Sequence, residues 1–264
     1  MSIALWFLIF VLGSAVGSFL NVVVDRFNTG LPWWKGSSFC FSCGEKLKPR
    51  DLFPVFSYLF LKGRCATCHA KIPATSVAVE LLMGVLSVLA FFKFGLVSSF
   101  SGAVDWAQYF LALTIFSSLV LIALYDLRHF IIPDSFLLFF ALSSVLFVLD
   151  SSASSIVGHL VSALVLPLPF LALFLISKGR WLGLGDVKYM AVLGLLLGMA
   201  FGSSAILLAF WIGAGFTLIL LLVNRKTLTI KSEVPFGPFI SIGIAVGFYF
   251  GLDILHLNDI LALF

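Results

Sequence analysis

Two aspartates at the edges of apolar segments are the residues of this chain best suited to acid–base chemistry. Asp186 stands in "GLGDVKYM" and Asp126 stands in "LIALYDLRHFIIPD". An ionisable side chain at a membrane edge is costly and usually has a function. Two carboxylates that meet in a poorly solvated recess can share one proton, so that one activates water while the other protonates a carbonyl oxygen. The pair therefore predicts hydrolysis of the aspartic-protease type.

The glycines before Asp186 fit this hypothesis. Gly183 and Gly185 would let the loop turn sharply and let a substrate backbone approach the carboxylate. Two structural alternatives stay open at this point. Asp186 could serve only as the N-cap of the following helix, and Asp126 could pair with Arg128 or another cation.

Two further acidic residues have simpler interpretations. Asp134 directly follows Pro133 and is most simply the N-cap of the segment that begins there. Glu80 lies inside an apolar segment, where it could pair within a helical bundle or serve a function. The sequence does not decide between these two roles of Glu80.

All four cysteines of the chain lie in two C-x2-C pairs, Cys40 with Cys43 and Cys65 with Cys68. Two such pairs supply the four thiolates of a tetrahedral structural zinc site, which leaves no open position for catalysis. Two disulfides or free thiols are the alternatives, although a reducing compartment argues against disulfides. His69 could also replace one thiolate. We predict a structural zinc ion bound by the four cysteines.

The composition indicates a membrane protein, because 61% of the 264 residues are hydrophobic and only 11% are charged. We expect an all-α fold of about eight transmembrane helices. The apolar segments are roughly 2–24, 77–97, 106–125, 134–149, 156–176, 187–201, 204–223 and 236–255.

The distribution of positive charge predicts the orientation of these segments. With the N-terminus outside, the inside segments are 25–76, 126–134, 177–188 and 224–235, and they contain 15 of the 16 Lys and Arg residues. Such a bias is what the positive-inside rule requires. Both termini are then outside, and Asp126 and Asp186 lie at the same, cytoplasmic face.

Three parts of the chain follow from this topology. Residues 1–24 form the first transmembrane helix, and residues 25–76 form a small cytoplasmic loop domain that contains the cysteines. Residues 77–264 form the helical bundle that contains both aspartates. A loop domain of this size needs additional stabilisation, such as a bound metal ion.

Taken together, these motifs resemble those of the prepilin peptidases, the bacterial leader peptidases and N-methyltransferases of type IV prepilins and type II secretion pseudopilins. The resemblance runs nearly from end to end. It rests on "GSFLNVVVDR" near the start, the two C-x2-C pairs, Asp126 followed by "IIPD", "GLGD", and "PFGPF" at 235–239.

The resemblance implies a membrane-embedded aspartic peptidase with Asp126 and Asp186 as its catalytic residues. It also implies prepilin or pseudopilin substrates, the bacterial inner membrane, and S-adenosylmethionine as the methyl donor. No fingerprint in the sequence locates a site for that cofactor. The net charge of +4 comes from the inside loops and needs no nucleic-acid partner.

Three other functions stay open on the sequence. A peptidase without methyltransferase activity would keep the aspartates. A transporter would use Asp126 and Asp186 as an ion site, but no repeated halves are visible. A zinc-stapled membrane scaffold would leave the two aspartates unexplained.

Overall fold

The computed structural model of the chain describes residues 2–30, 32, 34, 38–40, 42–96, 105–152, 156–223 and 234–256. Within these residues the regular structure is helical, apart from two isolated β-bridges near the cysteines. The prediction of an all-α fold is confirmed for this part of the chain.

Nine α-helices follow one another along the described ranges. They are α1 (Ile3–Arg26), α2 (Phe56–Phe60), α3 (Ala74–Ala90), α4 (Trp106–His129), α5 (Asp134–Ser152), α6 (Ile156–Val165), α7 (Leu168–Ser177), α8 (Leu184–Val223) and α9 (Gly237–Phe250).

Six helical segments of the described residues are long and apolar enough to cross a membrane. They are Ile3–Arg26, Ala74–Gly95, Trp106–His129, Asp134–Ser151, Ile156–Ser177 and Leu184–Val223. The chain is therefore a multi-pass membrane protein.

The predicted segments coincide with helices, but the number of long spans differs from eight for two reasons. Segments 187–201 and 204–223 are joined in the 40-residue helix α8. Helix α9 has only 14 residues, fewer than the roughly 20 that span a bilayer. The predicted inside segment 224–235 lies almost entirely outside the described residues.

Helix α8 is interrupted at Gly198 and not at residues 202–204, where the sequence had suggested a boundary. Gly198 has φ 72° and ψ −171°, a conformation that residues with a Cβ rarely adopt. A break of this kind leaves carbonyl groups without helical partners. The Nδ1 atom of His159 lies 2.9 Å from the carbonyl oxygen of Leu195 and forms a hydrogen bond there.

The chain divides into two compact units, Met1–Ser117 and Ser118–Phe264. In the first unit, α1 packs closely against α3. A Cβ atom at Gly17 would lie 2.8 Å from the carbonyl oxygen of Val79, so this crossing requires a glycine. About two turns away along each helix, the Ser87 hydroxyl donates a 2.9 Å hydrogen bond to the Ile9 carbonyl oxygen, which ties α3 to α1.

Glu80 of α3 bonds to the backbone of the cysteine-containing loop in the first unit. Its carboxylate accepts a hydrogen bond from the Val55 N–H at 2.7 Å. Val55 has φ 64°, which is a strained value for a β-branched residue. The Glu80 carboxylate therefore holds a strained turn of the loop within the first unit, which agrees with pairing inside the bundle.

In the second unit, α8 packs against α5, α6, α7 and α9. The crossing with α6 is close, because a Cβ atom at Gly194 would lie 2.6 Å from the Ser162 carbonyl oxygen. The fully buried Tyr189 forms a 2.8 Å hydrogen bond with Ser241 of α9. These contacts fix the first half of α8, which has Asp186 in its first turn, against α9.

Candidate active site

Asp126 lies in the last turn of α4 and is only 5% exposed. Its Oδ2 atom accepts a hydrogen bond of 2.9 Å from the backbone N–H of Gly237, the first residue of α9. A Cβ atom at Gly237 would lie 2.6 Å from the same oxygen. The first turn of α9 therefore orients the Asp126 carboxylate, and only a glycine leaves room for it.

Asp186 is the third residue of α8. Its Oδ2 atom accepts a hydrogen bond of 3.2 Å from the backbone N–H of Gly183, directly before the helix. This is the reciprocal half of a capping box, in which an acidic residue at the third position binds the N-cap N–H. Capping of α8 therefore accounts for one oxygen of Asp186. The same residue also lines a cavity.

The two aspartates line the same cavity, which has a volume of about 550 Å³. Gly183 lines this cavity as well, whereas Gly185 packs against Ile132, with 3.2 Å between its would-be Cβ and the Ile132 Cβ. Other lining residues are Phe130, Gly179, Arg180, Trp181, Phe210 and Phe236.

This arrangement can support hydrolysis. Two carboxylates that line one cavity can share a proton when they approach each other, and such a pair titrates as a unit. The cavity is large enough for a short stretch of peptide backbone. Arg180 adds a cation at its wall.

A second, mainly apolar cavity of about 450 Å³ adjoins the first. It shares Phe210, Val234 and Phe236 with the cavity of the aspartates, and it continues along α8 past Ala214 and Thr217. The two carboxylates therefore lie next to a surface that suits an apolar ligand.

Two structural features near the aspartates were not predicted from the sequence. Gly237 belongs to the "PFGPF" motif, which carried part of the resemblance but had no assigned role. Asp134 is the first residue of α5 and not its N-cap, and it forms an ion pair with Lys188 at 2.7 Å. Signals for a helix start are visible in the sequence at residues 235–238. The contact of Gly237 with Asp126 joins residues 111 positions apart, so no local pattern indicates it.

The four cysteines lie together in the first unit, with all Sγ atoms within 4.8 Å of one another. All four are free, and the Sγ atoms of Cys40 and Cys68 are 3.8 Å apart. A tetrahedron with metal–sulfur bonds of about 2.3 Å has edges of about 3.8 Å. The four thiols therefore fit a tetrahedral metal ion, and they could hold one.

The backbone around the cysteines has features that favour metal binding. Gly44 and His69, each one residue after a C-x2-C pair, have φ values of 73° and 57°. Backbone hydrogen bonds from Cys43 and Ser42 lower the pKa of Cys40 to about 6. In contrast, desolvation and the neighbouring thiols of Cys68 and Cys40 raise the pKa of Cys43 to about 11, so Cys40 is the thiolate that forms first. A thiol with a lowered pKa is readily available as a thiolate, the form that binds metal.

Known families match two parts of the chain. Residues 11–94 match the bacterial peptidase A24 N-terminal domain. Residues 113–218 match the type IV leader peptidase family. The second range includes both Asp126 and Asp186, and the first includes all four cysteines.

Three curated relatives, each named prepilin leader peptidase/N-methyltransferase, are similar to this chain over most of their length. The protein from Bacillus subtilis (strain 168) is 29% identical over 94% of this chain and 95% of its own. That from Pectobacterium carotovorum subsp. carotovorum is 32% identical over 88% of each chain. That from Burkholderia pseudomallei (strain 1026b) is 31% identical over 91% of this chain and 84% of its own.

No solved structure matches the chain significantly. The two family ranges and the named relatives together cover most of the chain. The chain belongs to the type IV leader peptidase family.

Proposed function

We propose that this chain is a membrane aspartic endopeptidase that removes the leader from type IV prepilins or pseudopilins and then N-methylates the new N-terminus. The single observation that carries the proteolytic part is the position of Asp126 and Asp186 at one cavity. The relatives named for leader peptidase and N-methyltransferase activity support the substrate class and the second reaction.

The proposed hydrolysis uses the two aspartates as one unit. The ionised carboxylate removes a proton from water, whose oxygen attacks the scissile carbonyl carbon, while the protonated carboxyl donates its proton to the carbonyl oxygen. The C–N bond then breaks as the leaving nitrogen takes up a proton from the pair. The N–H groups of Gly237 and Gly183 keep the two carboxylates oriented during these steps.

The charge distribution supports the proposed orientation and parts of the molecule, and the names of the relatives support a bacterial membrane. We place the protein in the bacterial inner membrane, with both termini outside and the cysteine loop and the active site at the cytoplasmic face. Residues 1–24 would be the first transmembrane helix, residues 25–76 the loop domain, and residues 77–264 the peptidase bundle. A membrane-borne substrate agrees with the apolar cavity that adjoins the aspartates.

Two groups belong to this proposal. A zinc ion would be held by Cys40, Cys43, Cys65 and Cys68, where it would stabilise the fold of the loop and leave no open coordination position. S-adenosylmethionine would supply the methyl group, and it is proposed from the names of the relatives alone. Among the described residues, no cavity or cluster identifies where it binds.

Cleavage of a prepilin by purified variants tests the proposal. Asp126→Asn and Asp186→Asn should each reduce kcat by roughly 10⁴-fold, because an amide can neither share the proton nor activate water, and the double variant should be no worse than either single one. Asp105→Asn is the matched control, since Asp105 only caps α4 through the Gln108 N–H at 3.0 Å and Asn caps equally well.

Substantial cleavage by either dyad variant would contradict the catalytic assignment. The thermal unfolding temperature and the metal content of the variants should equal those of the wild type. Equal values would show that cleavage is lost through the chemical step and not through unfolding. If the wild type itself cleaves no prepilin while it is folded and membrane-embedded, the proposed substrate class is wrong.

A further inference from the structure

We propose that the ion pair between Asp134 and Lys188 is a positioning device that sets the distance between the catalytic aspartates. The inference rests on the proposed function of Asp126 and Asp186. It assigns to two further charged residues a role in the rate of the chemical step, without any contact with the substrate.

The ion pair joins two segments, each of which leads directly to one of the aspartates. The Lys188 Nζ atom donates hydrogen bonds to both carboxylate oxygens of Asp134, at 2.7 and 2.9 Å. Lys188 lies two residues after Asp186 in the first turns of α8. Asp134 begins α5, eight residues after Asp126.

The turn between α4 and α5 makes a second contact at the same place. Phe130 has φ 56°. Its N–H donates a hydrogen bond of 2.8 Å to the Asp126 carbonyl oxygen, so the turn is bonded to the backbone of Asp126. Two residues later, Ile132 packs on Gly185, the residue before Asp186. We refer to the two contacts, Ile132 with Gly185 and Asp134 with Lys188, as the clamp.

The clamp and the backbone hydrogen bonds have different tasks. The N–H groups of Gly237 and Gly183 set the orientation of each carboxylate. Neither bond links the segment of Asp126 to the segment of Asp186. The clamp links the two segments directly, so together with the packing of α8 on α5 and α9 it sets the distance between the two carboxylates.

Lys188 and Asp134 act from outside the active site. Neither lines the cavity of the aspartates, and their side chains are 45% and 73% exposed. An exposed ion pair adds little to folding stability. A displacement of about 1 Å in a catalytic group can nevertheless cost about 10²-fold in rate, so the contribution of the pair should appear in kcat and not in the unfolding temperature.

Prepilin cleavage by Lys188→Met, Asp134→Asn and the double variant tests the clamp. Each single variant should lower kcat about 10- to 100-fold with KM within about twofold of the wild type. The double variant should be no slower than the slower single one, because both changes break one interaction. Lys188→Arg should keep kcat within about threefold, since the guanidinium group also binds a carboxylate through two donors.

Lys178→Met is the matched control, because it removes a lysine at the C-terminal end of α7 outside the clamp, and it should leave kcat unchanged. High salt should slow the wild type and leave Lys188→Met unaffected, since an exposed pair is screened. A purely structural role would lower the unfolding temperature and the amount of folded protein without these kinetic signatures.

Three results would overturn the inference: wild-type kcat in both single variants, a rise in KM in place of a fall in kcat, or additive losses in the double variant. A rise in KM would mean that these side chains bind the substrate. The proposed function fails separately, namely if the wild type does not cleave or if Asp186→Asn cleaves normally.

Discussion

At the scale of single residues, the backbone holds the two catalytic candidates in different ways. Asp126 is oriented by a residue 111 positions away, the Gly237 N–H at the start of α9. Asp186 is oriented by a residue three positions away, the Gly183 N–H. The orientation of the Asp126 carboxylate therefore depends on the packing of α9 against α4. The orientation of the Asp186 carboxylate is set locally, at the start of α8.

Gly237→Ala tests this dependence. The new Cβ would lie 2.6 Å from the Asp126 Oδ2 atom, so the carboxylate must move and lose its hydrogen bond. We expect prepilin cleavage to fall by about tenfold or more, with little change in the unfolding temperature. Gly215→Ala is the control, because a Cβ at Gly215 of α8 would meet no atom within 4 Å. Equal cleavage by the two variants would show that the Gly237 contact does not matter for catalysis.

The carboxylates could be predicted from the sequence, and their supporting residues could not. A charge at the end of an apolar run is conspicuous because burial of an ionisable group is costly. Gly237 has no side chain and hence no chemistry of its own to indicate a role. Lys188 is visible as a cation, but its partner Asp134 is 54 residues away, and no local pattern connects the two.

At the scale of helices and loops, hydropathy locates the helices but not the break in α8. Gly194, Gly198 and Gly202 follow one another at intervals of four residues, so the sequence offers three equivalent sites. Tertiary contacts distinguish them, because Gly194 makes room for Ser162 and Gly202 makes room for Leu166, at 2.6 and 2.7 Å from a would-be Cβ. Gly198 alone takes the positive φ, a choice that depends on the packing of α6 beside α8.

The loop that contains the cysteines should depend on its metal ion. Purified, reduced protein should contain about one zinc ion per chain, and Cys40→Ser should lose most of it. Removal of the ion by a chelator should unfold the loop, as seen by increased proteolysis between residues 25 and 76, while the transmembrane helices persist. Ser42→Ala is the control, because it keeps the backbone N–H beside Cys40 and removes no ligand.

Titration of thiols separates this expectation from the disulfide alternative. Under denaturing conditions with chelator and without reductant, a zinc site releases four reactive thiols. Two disulfides would release none, and they would leave the protein free of metal. Absence of metal together with absence of thiols would overturn the zinc proposal and leave the peptidase proposal intact.

At the scale of the whole molecule, the candidate residues are divided between the two compact units. Both aspartates and their supporting residues belong to Ser118–Phe264, and the four cysteines belong to Met1–Ser117. The residues that perform the proposed hydrolysis thus come from the second unit alone. The second proposed reaction, transfer of a methyl group to an amine, requires no activated water and no shared proton.

The two proposed reactions should therefore be separable. Asp186→Asn should leave an intact prepilin uncleaved, and it should also leave it unmethylated, because the leader still covers the amine that accepts the methyl group. Given a pilin that already has its mature N-terminus, the same variant should add one methyl group from S-adenosylmethionine at about the wild-type rate. Mass spectrometry of the N-terminal peptide measures both results, with the wild type as the reference for each substrate.

The outcomes of this experiment identify which part of the proposal fails. Loss of methylation on the mature pilin, in a folded Asp186→Asn variant, would mean that Asp186 takes part in both reactions. If the wild type cleaves but methylates neither substrate, the methyltransferase part of the proposal is wrong and the endopeptidase part remains. Methylation by both proteins, with cleavage by the wild type alone, is the expected result, because the activated water and the shared proton proposed for Asp186 are needed for peptide hydrolysis and not for methyl transfer.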